Sequence, residues 1–283
     1  MRQLIFGAIM FLGACTSKPV SDVEMSKYLG YVSINPISIP RSIFIPKVDK
    51  SEGVNEAVAS KKIASGEFSP ALDNLVNSAA RISIREISSK GDVKYLTAAV
   101  SDENKTYNAT IDYIKYYSAS VPVKVSLVSS GVAPKESIVV LGLAVGVGIR
   151  AEASFFSASG GAAISDIINI GISAQKDEIS GTMSFQTMGI ESKAISDSLP
   201  IPAQLSAPAI QGALQAMASM KANIYASDTR VSPQIVGFEI QSYPDGVTIS
   251  DILNAIQMTK ADIVNAVADE LKARVTYTLR PVL

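Results

Sequence analysis

Histidine and tryptophan are absent from this chain of 283 residues, and cysteine occurs once. Without histidine there is no Ser-His-Asp or Cys-His relay and no imidazole general base, and the commonest metal ligand is missing too. One thiol cannot build an internal disulfide framework, nor the thiolate sets that hold structural zinc. The expectation is therefore no zinc, no cofactor and no catalytic residue. Charge is scarce and balanced, with 18% charged residues and a net charge of −1. The basic footprint that nucleic acid requires is missing, so no nucleic-acid partner is expected. Hydrophobic residues make up 47% of the chain, enough to bury a globular core.

What the chain does have begins at its N-terminus. Residues 1–15 read Met-Arg-Gln-Leu-Ile-Phe-Gly-Ala-Ile-Met-Phe-Leu-Gly-Ala-Cys. Arg2 precedes an apolar run over residues 4–14 that is shorter than the roughly 20 residues of a spanning helix. A charged start, a short apolar centre and a small-residue exit fit a secretory signal peptide. The exit, Leu12-Gly13-Ala14-Cys15, resembles the lipobox of bacterial lipoproteins; the resemblance covers residues 1–15 only. It implies cleavage between Ala14 and Cys15, a diacylglycerol on the Cys15 thiol and an acyl chain such as palmitate on the new amino terminus. Cys15 being the only thiol agrees with that use. At about 0.8 kcal/mol per buried methylene, one acyl chain binds marginally and several bind firmly, so Cys15 would be a lasting membrane anchor. In that family an aspartate after the lipidated cysteine retains the protein at the inner membrane. Thr16 departs from that pattern, which favours the outer membrane.

After the signal about 270 residues remain, enough for one large or two small domains. Residues 16–22 are small and polar, a tether. Residues 34–48 carry Pro36, Pro40 and Pro46 among Ile37, Ile39, Ile43 and Ile45, which predicts an extended apolar strip, either an arm packed along the body or a docking segment for a partner. A short helix is expected over 54–63. Ser69-Pro70 reads as a helix start, with Leu72, Leu75, Val76 and Ala79 on one face. From Arg81 the period becomes two, predicting strands over 82–87 and 93–100, a third over 107–113 and a fourth over 120–127.

The clearest patterning is central. Alternate residues from Val145 to Phe155, from Ile168 to Ala174 and from Ile179 to Thr187 are apolar, with small or polar residues between them. This predicts a three-stranded antiparallel meander, half solvated, with Lys176-Asp177-Glu178 as a hairpin tip. Phe185 is expected in the core beside Ile170, Ile172 and Met183, and Gln186 on the solvated face. Pro200 and Pro202 precede a helix over 208–222, then a strand over 234–241. Thr248-Ile-Ser-Asp251 reads as a capping box opening a long amphipathic helix through Leu271, with an extended tail over 275–279.

Several motifs carry less than their letters suggest. Gly142-Leu-Ala-Val-Gly146-Val-Gly148 lacks the Gly-Lys-Ser/Thr ending of a phosphate loop, so close backbone packing is the better reading. Ser173-Ala-Gln-Lys176 has the spacing of penicillin-binding enzymes but none of their partner motifs. Asp102-Glu103, Asp177-Glu178 and Asp269-Glu270 read as solvated charge. The apolar run over 137–149 is too short to span and ends at Arg150 and Glu152, so it reads as a buried strand.

The expected architecture is α+β: signal peptide over 1–14, anchor, tether and arm over 15–65, and a globular domain over 66–283. That domain is a mostly antiparallel sheet with helices packed on one face and a long C-terminal helix. The expected role is a non-catalytic interaction or scaffold lipoprotein of the cell envelope, with an envelope protein as partner. Two alternatives come from other classes: a carrier of an apolar small molecule or lipid, and a subunit of an oligomeric pore contributing β-hairpins. Against the pore, the apolar faces mix alanine and glycine with large side chains and lack aromatic girdles.

Overall fold

The computed structural model describes residues 30–40, 72, 75–87, 93–96, 104–127, 135–157, 167–242, 244 and 246–278. Among the described residues strand outweighs helix, which fits the α+β class. The arm residues beyond 40, the helix expected over 54–63 and Cys15 lie outside the described residues.

Two strands of 23 residues each, β4 (Lys105–Leu127) and β5 (Lys135–Ser157), form the spine. They pair antiparallel throughout, from Lys105 opposite Ser157 to Leu127 opposite Lys135. At about 3.4 Å per residue each is roughly 75 Å long. The two strands expected over 107–113 and 120–127 are thus one. Apolar residues keep the same parity from Tyr107 through Tyr117 and Ala119 to Val125, and only Lys115 hides the continuity.

On one side of β4 lies β2 (Asn77–Ile87), followed by β3 (Val93–Leu96). The other side of β5 is shared. β10 (Gln234–Ser242) pairs with residues 140–146 and β6 (Ile179–Met188) with residues 148–157. The changeover falls between Gly146 and Gly148. A Cβ on Gly146 would run into the Lys115 carbonyl oxygen, and one on Gly148 into that of Tyr113. The glycine run therefore serves close strand packing. β1 (Tyr31–Ser38) joins the sheet beside β10, so the first part of the expected arm is a full strand. Short pieces complete the set: β7 (Ile190–Glu191) pairs with β9 (Arg230–Val231), and β8 (Ala203–Gln204) with β6.

The helices are α1 (Ile167–Gln175), α2 (Lys193–Ser198), α3 (Ala207–Asn223), α4 (Ile249–Met258) and α5 (Lys260–Thr278). The odd-numbered face of β4 and β5 is buried in two clusters. Val121, Val123, Val139, Leu141 and Leu143 share one with Ile252, Ile256, Ile263 and Leu271 of α4 and α5. Tyr107, Ala153 and Phe155 share the other with Ile170 of α1 and Ile210, Ala213 and Met217 of α3. Helix α3 opens on Ser206, whose side chain accepts from the Ala209 N–H, and carries proline in its first turn. The capping box is formed: the Asp251 N–H donates to Thr248 Oγ1 at 3.2 Å, and the Thr248 N–H donates to Asp251 Oδ2 at 3.0 Å.

Four expectations are corrected. Residues 168–174 form helix, not strand, so there is no three-stranded meander: β6 lies directly against β5 and leaves no slot. Ile170, Gly171 and Ser173 of that segment are buried, while Ile168 and Ile172 are 57% and 43% exposed. Seven alternating residues are compatible with either period when isoleucine and small residues supply all the contrast. The turn at 176–178 ends a helix, with Asp177 at φ 58 and the Glu178 N–H donating to the Ser173 carbonyl. Second, the helix expected through Ala79 has given way to strand by Asn77, because residues 77–80 pair with residues 113–116 of β4. Third, the C-terminal helix is two helices, broken at Thr259, whose N–H caps the Ala255 carbonyl. Ile256 and Ile263 are seven residues apart, two helical turns, so the apolar stripe runs through the break unmarked. Fourth, the tail expected to be extended from Val275 continues as helix to Thr278.

The even-numbered face curls into a trough. In sheet order β5 and β4 separate β10 from β2, yet Arg81 Nη1 of β2 meets Glu239 Oε1 of β10 at 2.6 Å. A small apolar group, including Tyr31, Ile114, Tyr116 and Val236, lines the trough.

Candidate functional site

At the bottom of the trough lies a charged pair that the sequence pattern assigned to solvent. Arg150 of β5 and Asp112 of β4 are 1% and 0% exposed and sit directly opposite each other in the ladder. The contact is bidentate: Arg150 Nε donates to Asp112 Oδ1 at 2.7 Å, and Nη2 to Oδ2 at 2.8 Å. Such forks are the strongest charged hydrogen bonds a protein makes. The guanidinium also reaches main chain, with Nη1 donating to the Ile34 carbonyl at 2.7 Å and Nη2 to the Val236 carbonyl at 2.9 Å. Both carbonyls lie where the strand register slips, between Ser33 and Ile37 in β1 and between Ile235 and Gly237 in β10. A bulge takes main-chain groups out of the ladder, and Arg150 satisfies one on each strand.

Asp112 is equally committed. Tyr31 donates its hydroxyl to Asp112 Oδ2 at 2.7 Å, and Ser33 Oγ lies 3.3 Å from the same atom. Tyr31 crosses Gly237 to reach it; any Cβ there would collide with the ring. Four strands thus converge on one ion pair. Burial alone would lower the Arg150 pKa, but the hydrogen bond and charge of Asp112 outweigh it and hold the guanidinium above its ordinary value.

The Tyr31 hydroxyl is pushed well above the usual tyrosine value, first by burial and then by the neighbouring Asp112 charge. A raised folded pKa means that the unfolded chain gives up the proton first as pH rises. The stabilising contribution is therefore complete below about pH 10 and is lost as pH climbs beyond it. Tyr31→Phe should flatten the alkaline decline: between pH 8 and pH 11 the urea midpoint of the parent should fall more steeply than that of the variant. Parallel declines would show that Tyr31 is not the group responsible.

A second polar group lies towards the start of β4, where Lys105 Nζ meets Glu86 Oε1 at 2.5 Å and Asn108 Nδ2 faces Ser154 Oγ at 3.4 Å. On the helical side, Tyr117 donates its hydroxyl to Glu270 of α5. An open cavity of about 740 Å³ is lined by Glu191, Lys193, Ser196, Asp228 and Arg230 among others. Among the described residues no cluster of three or more acidic, cysteine or histidine side chains could hold a metal ion. No helix among them is long and apolar enough to cross a membrane.

The site residues read from the sequence, Ala14 and Cys15, lie outside the described residues. The residues it missed are Asp112, Arg150, Tyr31 and Ser33. The signal was present as a lone acid and a lone arginine, each inside an alternating strand. What brings them together is register, which single-strand patterning does not carry. Compared with protein-family models, curated proteins and solved structures, this chain matches none of them.

Proposed function

We propose that this chain is a lipoprotein of the bacterial cell envelope, anchored through Cys15 and sited at the outer membrane, whose body serves as a non-catalytic interaction scaffold. The observation that carries the reading is Leu12-Gly13-Ala14-Cys15 closing an N-terminal apolar run in a chain with no other thiol. Thr16 in place of an aspartate supports the outer-membrane address. The scaffold half is supported by the chemistry of the body: its most deeply buried charges, Arg150 and Asp112, are spent on each other and on main-chain carbonyls, an arrangement that fixes strands. The 740 Å³ cavity is open to solvent and lined by Ile190 and seven charged or hydroxyl residues, which does not suit an apolar cargo. The apolar face of the outer hairpin lies beneath α4 and α5, so a lipid-facing role would require those helices to leave.

Cys15→Ser should move the protein from the membrane pellet to the soluble envelope fraction. A variant that still pellets with membranes at high salt would refute the anchor. Photocrosslinking in intact cells tests the scaffold role, which expects a defined protein neighbour.

A further inference from the structure

The last residue of β4 bonded to β2 is Tyr116, opposite Asn77. Over residues 117–127, β4 is paired among the described residues only with β5, so no described strand lies along its outer edge there. Pro122 shows which groups face outward. A proline fits a paired strand only with its nitrogen turned away from the ladder. Main-chain groups alternate sides along a strand, so the N–H groups of Ser118, Ser120, Lys124 and Ser126 share that outward direction. The side chains of those four residues are exposed, while Val121, Val123 and Val125 are buried on the other face. Beside the edge runs a groove of about 290 Å³, lined by Val121, Val123 and Lys124 of the strand and Asp262, Ile263 and Ala266 of α5.

Resting on the interaction reading above, we propose that this edge is a strand-addition site for an extended, acidic segment of a partner protein. Main-chain donors and acceptors at alternate positions bind extended peptide, and a groove beside them takes its alternate side chains. The charge selects the occupant. Pairing two copies of this edge would place two lysines and two prolines in one short stretch, the combination by which natural sheets discourage self-pairing. An acidic residue opposite Lys124 turns the same charge into a cross-strand attraction. Asp262, at the groove on the helical side, suits a basic residue on the other face of the incoming strand.

The test pans a phage-displayed library of random decapeptides against the full chain in detergent micelles. Enriched peptides are then labelled and titrated by fluorescence anisotropy. Enrichment of acidic peptides with alternating apolar residues is expected. Binding should weaken at least tenfold for Lys124→Pro, which removes an outward N–H and spares the β5 ladder. The exposed Lys124→Glu should weaken acidic peptides comparably, and it keeps the test decisive if the proline variant fails to fold. No enrichment, or equal binding to Lys124→Glu, would overturn the proposal, as would light scattering that shows copies pairing through this edge. Photocrosslinkers at Lys124, Ile172 and Met258 in cells separate the two readings. A neighbour captured from the other positions but not from Lys124 overturns the edge alone, whereas none from any position overturns the scaffold.

Discussion

Arg150→Met should destabilise the protein by about 3–5 kcal/mol, the typical cost of leaving a buried charge without its partner. Asp112 would keep only Tyr31 and Ser33, and the Ile34 and Val236 carbonyls would lose the donor that satisfies them. Asp112→Leu should cost a comparable amount by stranding the guanidinium. The double variant is the informative one. Replacing a whole buried pair by apolar side chains is often neutral, so the two losses should fall well short of adding. Full recovery is not expected, because each unsatisfied buried carbonyl still costs about 1–3 kcal/mol. Urea midpoints for the four corners of the cycle measure this. Two small, additive losses would mean that the pair is solvated and the trough open.

Phe155→Ala should cost about 3–5 kcal/mol through lost burial and the cavity left behind. Phe155 is 1% exposed and stacks on Tyr107, ring centroids 5.8 Å apart at 27°. Phe185, which the alternation placed in the core, lies on the same side of the sheet but is only half-buried against that cluster. Its truncation should cost about 1–2 kcal/mol, in proportion to the area it covers. Gln186 is exposed, and Gln186→Ala should change stability by under about 0.5 kcal/mol. That order of losses in urea places the deepest core between β5 and α3. Equal losses for Phe155 and Phe185 would place it at β6 instead.

These comparisons also show where the sequence was legible. Alternation located β2, β3, the spine strands, β6 and β10, the chain-breaking Pro200 and Pro202 located α3, and the capping box located α4, because each signal is local. Residues 168–174 were misread because two periods fit the same letters until a neighbouring strand occupies the only free edge. Arg150 was misread because alternation tells which face a residue takes, and not whether that face meets solvent. The even face is buried at Arg150 because β10 and β2 curl across it, a consequence of sheet coiling that no single strand records. The break at Thr259 is hidden for a related reason: two turns separate Ile256 from Ile263 whether or not the axis bends between them.

The pairing of β1 with β10 sets an order of events for the chain as it is made. Tyr31 lies opposite Glu239, so the strand nearest the proposed anchor has no ladder until almost the whole chain has emerged. The β4–β5 hairpin, joined through neighbouring sequence, can close first, and contacts between distant segments form late because chain closure must precede them. Residues 31–38 therefore wait, apolar and unpaired, while the spine assembles. The Ile34 carbonyl reaches Arg150 only at the end, which makes that contact a marker of completed folding.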